Sequence, residues 1–118
     1  MKSALPFVRF VHLIKALEEL PFPQQLYLRY QKEYDHILST ICYAQDIGKI
    51  ITVTDVVSCP ILGSQPTANK RIQELVKLGL ISMEKGEDKR ERILIISQLG
   101  VNYLKRCSDV MQLALLKD

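Results

Sequence analysis

The feature that most constrains the fold is a short charged segment between two β-like runs. Residues 80–83 (Leu-Ile-Ser-Met) and 93–96 (Ile-Leu-Ile-Ile) are mostly apolar, and the segment between them contains Gly86 and both signs of charge. Runs of this length around a polar, Gly-containing segment are typical of a two-stranded hairpin. The sequence therefore predicts a hairpin whose polar tip is half basic.

The segment before this hairpin has the clearest helix start in the chain. Ser64 can accept a hydrogen bond from the unpaired N–H groups of a first turn, and Pro66 fits there because the N–H that it lacks has no partner within the helix. We expect this helix to span about residues 64–78. Helical spacing places an apolar set on one side: Ala68, Ile72, Leu75 and Gly79. The other side carries a polar set: Asn69, Lys70, Gln73 and Lys77.

A short helix is expected just upstream, across a tight turn. Thr54 is its expected N-cap, two valines follow, and Pro60 ends it. Residues 50–51, both Ile, are expected to form a short strand. Three longer helices are predicted from apolar spacing, over residues 5–20, about 24–46 and 98–117. The second of these helices is expected to end at Gly48. Its length favours a break near residues 31–35.

This order of elements describes a winged helix-turn-helix. The fold class is mainly α with a small β-hairpin (α+β), with N- and C-terminal dimerisation helices at its flanks. With 118 residues, the chain suffices for one domain. We divide it into an N-terminal arm (1–23), a core (24–97) that includes the wing (80–97), and a C-terminal helix (98–118).

The positive charge is concentrated in one part of the chain. Residues 1–63 carry six basic and six acidic side chains, whereas residues 64–106 carry nine basic and five acidic ones. A basic stretch that contains the second helix of the pair and the wing fits a surface that faces a polyanion, although a solvated face is the alternative. The second helix is narrow enough for the major groove of DNA, and the wing can reach the backbone or the minor groove.

The sequence resembles the MarR family of bacterial transcription regulators over about residues 50–100. The family's wing pattern, Asp-x-Arg, five residues and Leu-Thr-x-x-Gly, aligns without a gap with Asp88-Lys89-Arg90 and Ile96-Ser97-Gln98-Leu99-Gly100. Val53-Thr54-Asp55-Val56-Val57 is similar to the start of the family's first helix of the pair. Ser64-x-x-Thr67 and Leu75-x-x-x-Gly79-Leu80-Ile81 are similar to its recognition helix and exit turn. The loop over residues 58–63 is about one residue longer than usual.

The resemblance implies a set of DNA contacts. On the recognition helix they are Ser64, Gln65, Thr67, Asn69, Lys70 and Gln73. On the wing, taken as residues 84–92, they are Lys85, Lys89, Arg90 and Arg92. Ser64 and Thr67 could instead only cap the helix, and Arg92 could be a solvated strand residue. Arg71 is expected to pack its stem or pair with an acid, and Asp88 to orient the wing arginine.

The resemblance also implies partners. The apolar stripe of the last helix would pair with the first helix of a second subunit in a homodimer, whereas the alternative is a monomer whose terminal helices pack on each other. A small aromatic effector would lie near the tyrosines, for which a core or interface role is the alternative. Those tyrosines are Tyr27, Tyr30, Tyr34 and Tyr43.

Other chemistry has little support in the sequence. The chain has three widely spaced cysteines, Cys42, Cys59 and Cys107, so neither disulfides nor structural zinc are expected. One of them could be a reactive thiol, and the alternative is that all three are buried and inert. His12 and His36 are read as isolated, and no catalytic set, metal site or cofactor is expected.

The sequence therefore predicts a DNA-binding transcriptional regulator. We expect it to bind specific sequences of double-stranded DNA as a MarR-like repressor, and not to be an enzyme. The alternatives are a winged helix for protein–protein contact and a replication or accessory DNA-binding protein. No apolar run reaches the roughly 20 residues of a membrane span, so we expect a cytoplasmic protein.

Overall fold

The computed structural model describes residues 5–14, 29–88 and 90–115, which form five α-helices and one hairpin. The side chain of residue 14 lies outside this description. In chain order the elements are α1 (Pro6–Ile14), α2 (Gln31–Asp46), α3 (Val53–Val57), a 3₁₀ turn (Pro60–Leu62), α4 (Gln65–Lys77), β1 (Ile81–Lys85), β2 (Arg92–Ile96) and α5 (Gln98–Leu115). The predicted fold class, mainly α with a small antiparallel hairpin, is confirmed.

Helix α2 lies at the centre of the core. Tyr34, Ile37, Leu38 and Ile41 recur at helical spacing and are fully buried. They pack in one cluster with Ile72 and others from α4, with residues of the hairpin and with α5. The helix ends as predicted before Gly48, whose φ of 73° suits a residue without a side chain.

The cap of α3 differs from the prediction. Thr52, not Thr54, is the N-cap: its hydroxyl accepts from the backbone N–H of Asp55 at 3.2 Å, and the Asp55 carboxylate accepts from the N–H of Thr52 at 2.9 Å. This reciprocal capping box satisfies two backbone donors at once, which a cap at Thr54 would not do. The helix ends at Val57 with Ser58 as its C-cap, so Pro60 does not stop it but begins the 3₁₀ turn.

The hairpin forms as predicted, in register from Ile81 opposite Ile96 to Lys85 opposite Arg92. The short strand expected at residues 50–51 is reduced to a single bridge between Thr52 and Ile93, beside a hydrogen bond from the N–H of Leu94 to the carbonyl of Ile51 at 2.9 Å. This segment extends the hairpin by one short contact, which ties the start of α3 to the wing.

The terminal helices pack on each other within one chain, which is the packing given above as the alternative to pairing the last helix with the first helix of a second subunit. The Arg9 guanidinium of α1 is buried and donates to the carbonyl of Ala114 on α5 at 3.3 Å. The predicted first helix is described only to Ile14, and the parts of the predictions that fall on residues 15–28 and 116–118 lie outside the described residues. Among the helices that are described, none is both long and apolar enough to cross a membrane.

Candidate nucleic-acid interface

Helix α4 begins where the sequence predicts. Its N-cap is Ser64, whose hydroxyl oxygen accepts from the backbone N–H of Thr67 at 3.3 Å and donates to the Thr67 hydroxyl at 2.9 Å. Gly63 precedes the cap at a φ of 88°, where the chain turns into the helix. Ser64 is therefore the capping residue and Thr67 supplies the N–H that it caps, and both side chains are exposed to solvent.

The outer face of α4 is polar, and its inner face is in the core. Gln65, Asn69, Lys70 and Gln73 are exposed, and no acidic residue lies in the first turn. Ala68, Ile72 and Leu75 are fully buried, as predicted. Gly79, which was expected on the apolar side, is exposed beyond the end of the helix, where its φ of 79° begins the path to β1.

A shallow groove separates α3 from α4 on this outer side. Val53 and Val57 line it from α3, and Gln65, Pro66 and Asn69 line it from α4. Amide side chains can bond both edge atoms of adenine, and apolar side chains can contact the methyl group of thymine. The groove therefore has amide and apolar side chains next to each other.

Arg71 points away from this face. Its guanidinium bonds Glu74 one turn on and lies over the ring of Tyr30, with 3.5 Å from Cζ to the ring centroid. Burial lowers the pKa of Arg71, but the hydrogen bond and the negative charge of Glu74 outweigh it, so the net shift is upward. The expectation that Arg71 packs its stem or pairs with an acid is confirmed by its ion pair with Glu74.

Two of the four tyrosines belong to this buried network. The hydroxyl of Tyr34 donates to Glu74 at 3.0 Å, and its ring meets that of Tyr30 edge to face. Burial, and then the bond to Glu74, raise the pKa of Tyr34 well above its ordinary value. Tyr43 is exposed, and Tyr27 lies outside the described residues. Tyr30 and Tyr34 thus have the core role that the sequence analysis gave as the alternative to binding an aromatic ligand.

The wing presents cations on both strands. Lys85 and Arg92 are exposed and directly opposite each other. Like charges in that arrangement repel, so an anion between or beside them would lower the energy of the pair. Arg90 is exposed at the tip, where its backbone N–H donates to the Asp88 carboxylate at 3.1 Å. Asp88 thus orients the tip of the wing through its backbone. Lys89 lies outside the described residues.

One pair of residues escaped the sequence interpretation. The Sγ atom of Cys59 lies 3.3 Å from Nε2 of His36. The prediction that His36 is isolated is therefore wrong. The two are 23 positions apart, and no motif links them. All three cysteines are free and half-buried. Within the described ranges, no group of three or more residues could hold a metal ion.

One of the comparisons with known proteins, that with solved structures, agrees with this architecture. No protein-family model matches the sequence, and no curated protein matches it. The solved structure of the heme sensor protein PefR from Streptococcus agalactiae in complex with heme is similar, with 25% identity and a TM-score of 0.50 over 98% of this chain and 75% of that one. PefR in complex with heme and carbon monoxide has 24% identity and a TM-score of 0.50 over 94% and 74%.

The fold and the exposed surfaces define the class of protein. A capped helix pair joined by a tight turn, followed by a two-stranded wing, is a winged helix-turn-helix, and the similarity to the PefR structures extends over nearly the whole chain.

Proposed function

We propose that this chain is a MarR-like regulator that binds specific sequences of double-stranded DNA and represses transcription as a homodimer. The observation that carries the proposal is the outer face of α4. It combines exposed amide and lysine side chains with a first turn that lacks acidic residues. Such a face is matched to base edges and phosphates rather than to an apolar protein surface.

In this proposal the two basic surfaces have different tasks. Helix α4 enters the major groove, where Gln65 and Asn69 bond adenine and Lys70 bonds guanine or a phosphate. Arg90 at the wing tip enters the neighbouring minor groove. Lys85 and Arg92 contact the backbone, which offsets the repulsion between their own charges.

The terminal helices support the homodimer. With α1 packed on α5 of the same chain, Phe7, Met111 and Leu115 stay exposed around a shallow apolar pocket. Phe7 is 74% exposed, which is costly for a side chain of this size in a protein that stays a monomer. A second copy that covers this face would bury it, and a two-fold dimer would suit a palindromic site whose half-sites lie about 34 Å apart.

The test is the affinity for duplex DNA from the protein's own upstream region, measured with a random duplex as competitor and across a salt series. We expect tighter binding to the upstream duplex and a steep fall of log affinity with log salt. Absence of binding to either duplex at low salt would contradict the proposal and would favour a winged helix for a protein partner.

Arg90→Ala tests the wing. The substitution should weaken binding by about 1–3 kcal/mol if the guanidinium enters a groove. Lys105→Ala, which removes an exposed charge from α5, is the matched control and should change affinity little. An Arg90→Ala affinity equal to that of the control would remove the wing from the interface.

Gln65→Ala tests the recognition helix. Loss of the amide should reduce the preference for the upstream duplex over the random one, because a base contact carries sequence information. Equal losses of affinity on both duplexes would show that Gln65 contacts only the backbone.

The small aromatic effector stays a prediction. Because the PefR structures hold heme, hemin is the first compound to add to the DNA titration. A change of DNA affinity with hemin would support an effector site, and an unchanged affinity would exclude hemin as the effector.

A further inference from the structure

The inner side of α4 is joined to α2 by a closed ring of contacts among four side chains. One carboxylate oxygen of Glu74 accepts from the guanidinium of Arg71 and, at 3.0 Å, from the hydroxyl of Tyr34. The guanidinium lies 3.5 Å from the centroid of the Tyr30 ring, and that ring meets the Tyr34 ring edge to face, with 5.9 Å between the centroids. We call residues 30, 34, 71 and 74 the α2–α4 ring.

The members of this ring come in equal numbers from the two helices. Arg71 and Glu74 lie one turn apart on α4, Tyr30 is the N-cap of α2, and Tyr34 lies on that helix. Tyr34 and Arg71 are buried, and the Glu74 side chain is 19% exposed. The ring therefore closes inside the protein, where the directions of its contacts are fixed by the two helices that carry them.

A ring of this kind contributes direction more than stability. The desolvation of a buried ion pair offsets most of its Coulombic attraction, so apolar side chains of similar volume could hold two helices together as well. Hydrogen bonds and contacts between a cation and an aromatic face require defined distances and angles, whereas apolar contacts do not. The contacts of the ring are thus suited to set how α4 is turned and shifted on α2.

The ring residues adjoin the outer face of α4 along the chain. Lys70 precedes Arg71, Gln73 precedes Glu74, and both Lys70 and Gln73 are exposed. Successive side chains of a helix point about 100° apart, so a turn of α4 that broke the ring would swing the outer side chains through the same angle. Hydrogen bonds to base edges tolerate little error in distance or angle, and such a turn would change which edges the outer face can reach.

We propose that the α2–α4 ring is a positioning device that sets the sequence specificity of DNA binding, with Tyr34 and Glu74 as positioning residues that do not touch DNA. This inference rests on the proposed function, in which the outer face of α4 reads bases. Phosphate contacts depend mainly on charge, whereas base contacts carry the sequence information. Loss of the ring therefore lowers the affinity for the upstream duplex and leaves binding to a random duplex nearly unchanged.

Tyr34→Phe tests the ring, because it removes one hydroxyl and keeps the aromatic side chain. The measurement is the affinity for the upstream and the random duplex across a salt series. The preference for the upstream duplex should fall about tenfold, which corresponds to the loss of one base contact. The slope of log affinity against log salt should stay unchanged, because the same cations reach the phosphates.

Tyr103→Phe is the matched control. The hydroxyl of buried Tyr103 on α5 donates to Asp35 of α2 at 2.8 Å, so the control also loses a bond between a buried tyrosine and a carboxylate, but between α2 and α5. It should keep the wild-type preference. An unchanged preference in Tyr34→Phe would overturn the proposal. An equal fall in Tyr103→Phe would overturn it as well, because a general loosening of the core would then account for the loss.

Glu74→Gln tests whether the ring acts as one unit. The amide keeps an oxygen acceptor but loses the charge that pairs with Arg71. The preference should fall in this variant too. The double variant Tyr34→Phe/Glu74→Gln should lose less than the product of the two single losses, because both substitutions act on the same contact. Single losses that multiply in full would contradict a ring that acts as one unit.

Hydrogen exchange without DNA distinguishes this inference from the proposed function. Relative to the N–H groups of α5, those of α4 should exchange about fivefold faster in Tyr34→Phe than in the wild type, and Tyr103→Phe should show no such increase. An unchanged ratio in Tyr34→Phe would overturn the positioning of α4. If no form prefers the upstream duplex while α4 is loosened selectively in Tyr34→Phe, the proposed function fails and the positioning of α4 by the ring stands.

Discussion

Gly100→Ala should destabilise the fold, although alanine is the better helix former. Gly100 is buried in the first turn of α5. A Cβ atom there would meet the carbonyl oxygen of Leu80 and would lie 2.8 Å from Cγ1 of Ile96. The Leu80 carbonyl cannot swing away freely, because it accepts from the N–H of Ser97 at 3.0 Å.

The expected magnitude follows from three contributions. Overpacking of this kind costs about 1–3 kcal/mol. Loss of the bond between Ser97 and Leu80 would add about 1 kcal/mol. The helix preference of alanine over glycine returns about 1 kcal/mol. The net loss is then about 1–3 kcal/mol, or roughly 4–12 °C in melting temperature for a chain of this size.

The assay is thermal unfolding followed by circular dichroism, with urea titrations to obtain the free energy of unfolding. Gly86→Ala is the matched control, because the added Cβ would meet the flexible side chain of Glu91 rather than a backbone group. It should stay within about 0.5 kcal/mol of wild type. A Gly100→Ala protein that melts at or above the wild-type temperature would refute the close approach of α5 to Leu80, which precedes β1, and to Ile96 of β2.

Three further substitutions probe the helix pair and its support. Glu74→Gln should cost about 1–3 kcal/mol in urea unfolding, because buried Arg71 loses its counter-charge. Thr52→Ala should cost about 1 kcal/mol by the same measurement, since one half of the capping box is lost. Tyr34→Phe should reduce the fall of the unfolding free energy between about pH 9 and pH 11, because above about pH 10 the wild-type unfolded chain releases the phenol proton that the folded chain keeps. An unchanged pH profile would contradict the raised pKa.

Local signals account for what the sequence could predict. The start of α4 depends on Ser64 and Pro66, and the hairpin depends on apolar runs around a polar tip, so both are decided within a few neighbouring residues. The N-cap of α3 could also have been predicted from the sequence. Thr52 with Asp55 three positions later is the capping-box pattern, and the prediction placed the cap two residues too late.

The missed features are contacts between distant segments. Tyr34 meets Glu74 across 40 positions, and His36 meets Cys59 across 23. Neither spacing follows from a helical or strand period, because it depends on how α2 crosses the helix pair. The amphipathic pattern predicts which residues of α2 are inside, but not which polar partner each one finds there.

Three consecutive residues of α2 reach three different parts of the fold. Tyr34 donates to Glu74 on α4 at 3.0 Å. Asp35 accepts from the hydroxyl of Tyr103 on α5 at 2.8 Å. His36 meets Cys59 in the turn before α4 at 3.3 Å.

Because successive side chains of a helix point about 100° apart, these contacts require that neighbours surround α2 on several sides. A rotation of α2 would therefore disturb α4, the turn that precedes it and α5 together. Helix α5 carries the apolar face proposed for the dimer, and α4 carries the face proposed for DNA. The segment 34–36 thus provides a direct physical connection between the two surfaces, and substitutions in it should affect both.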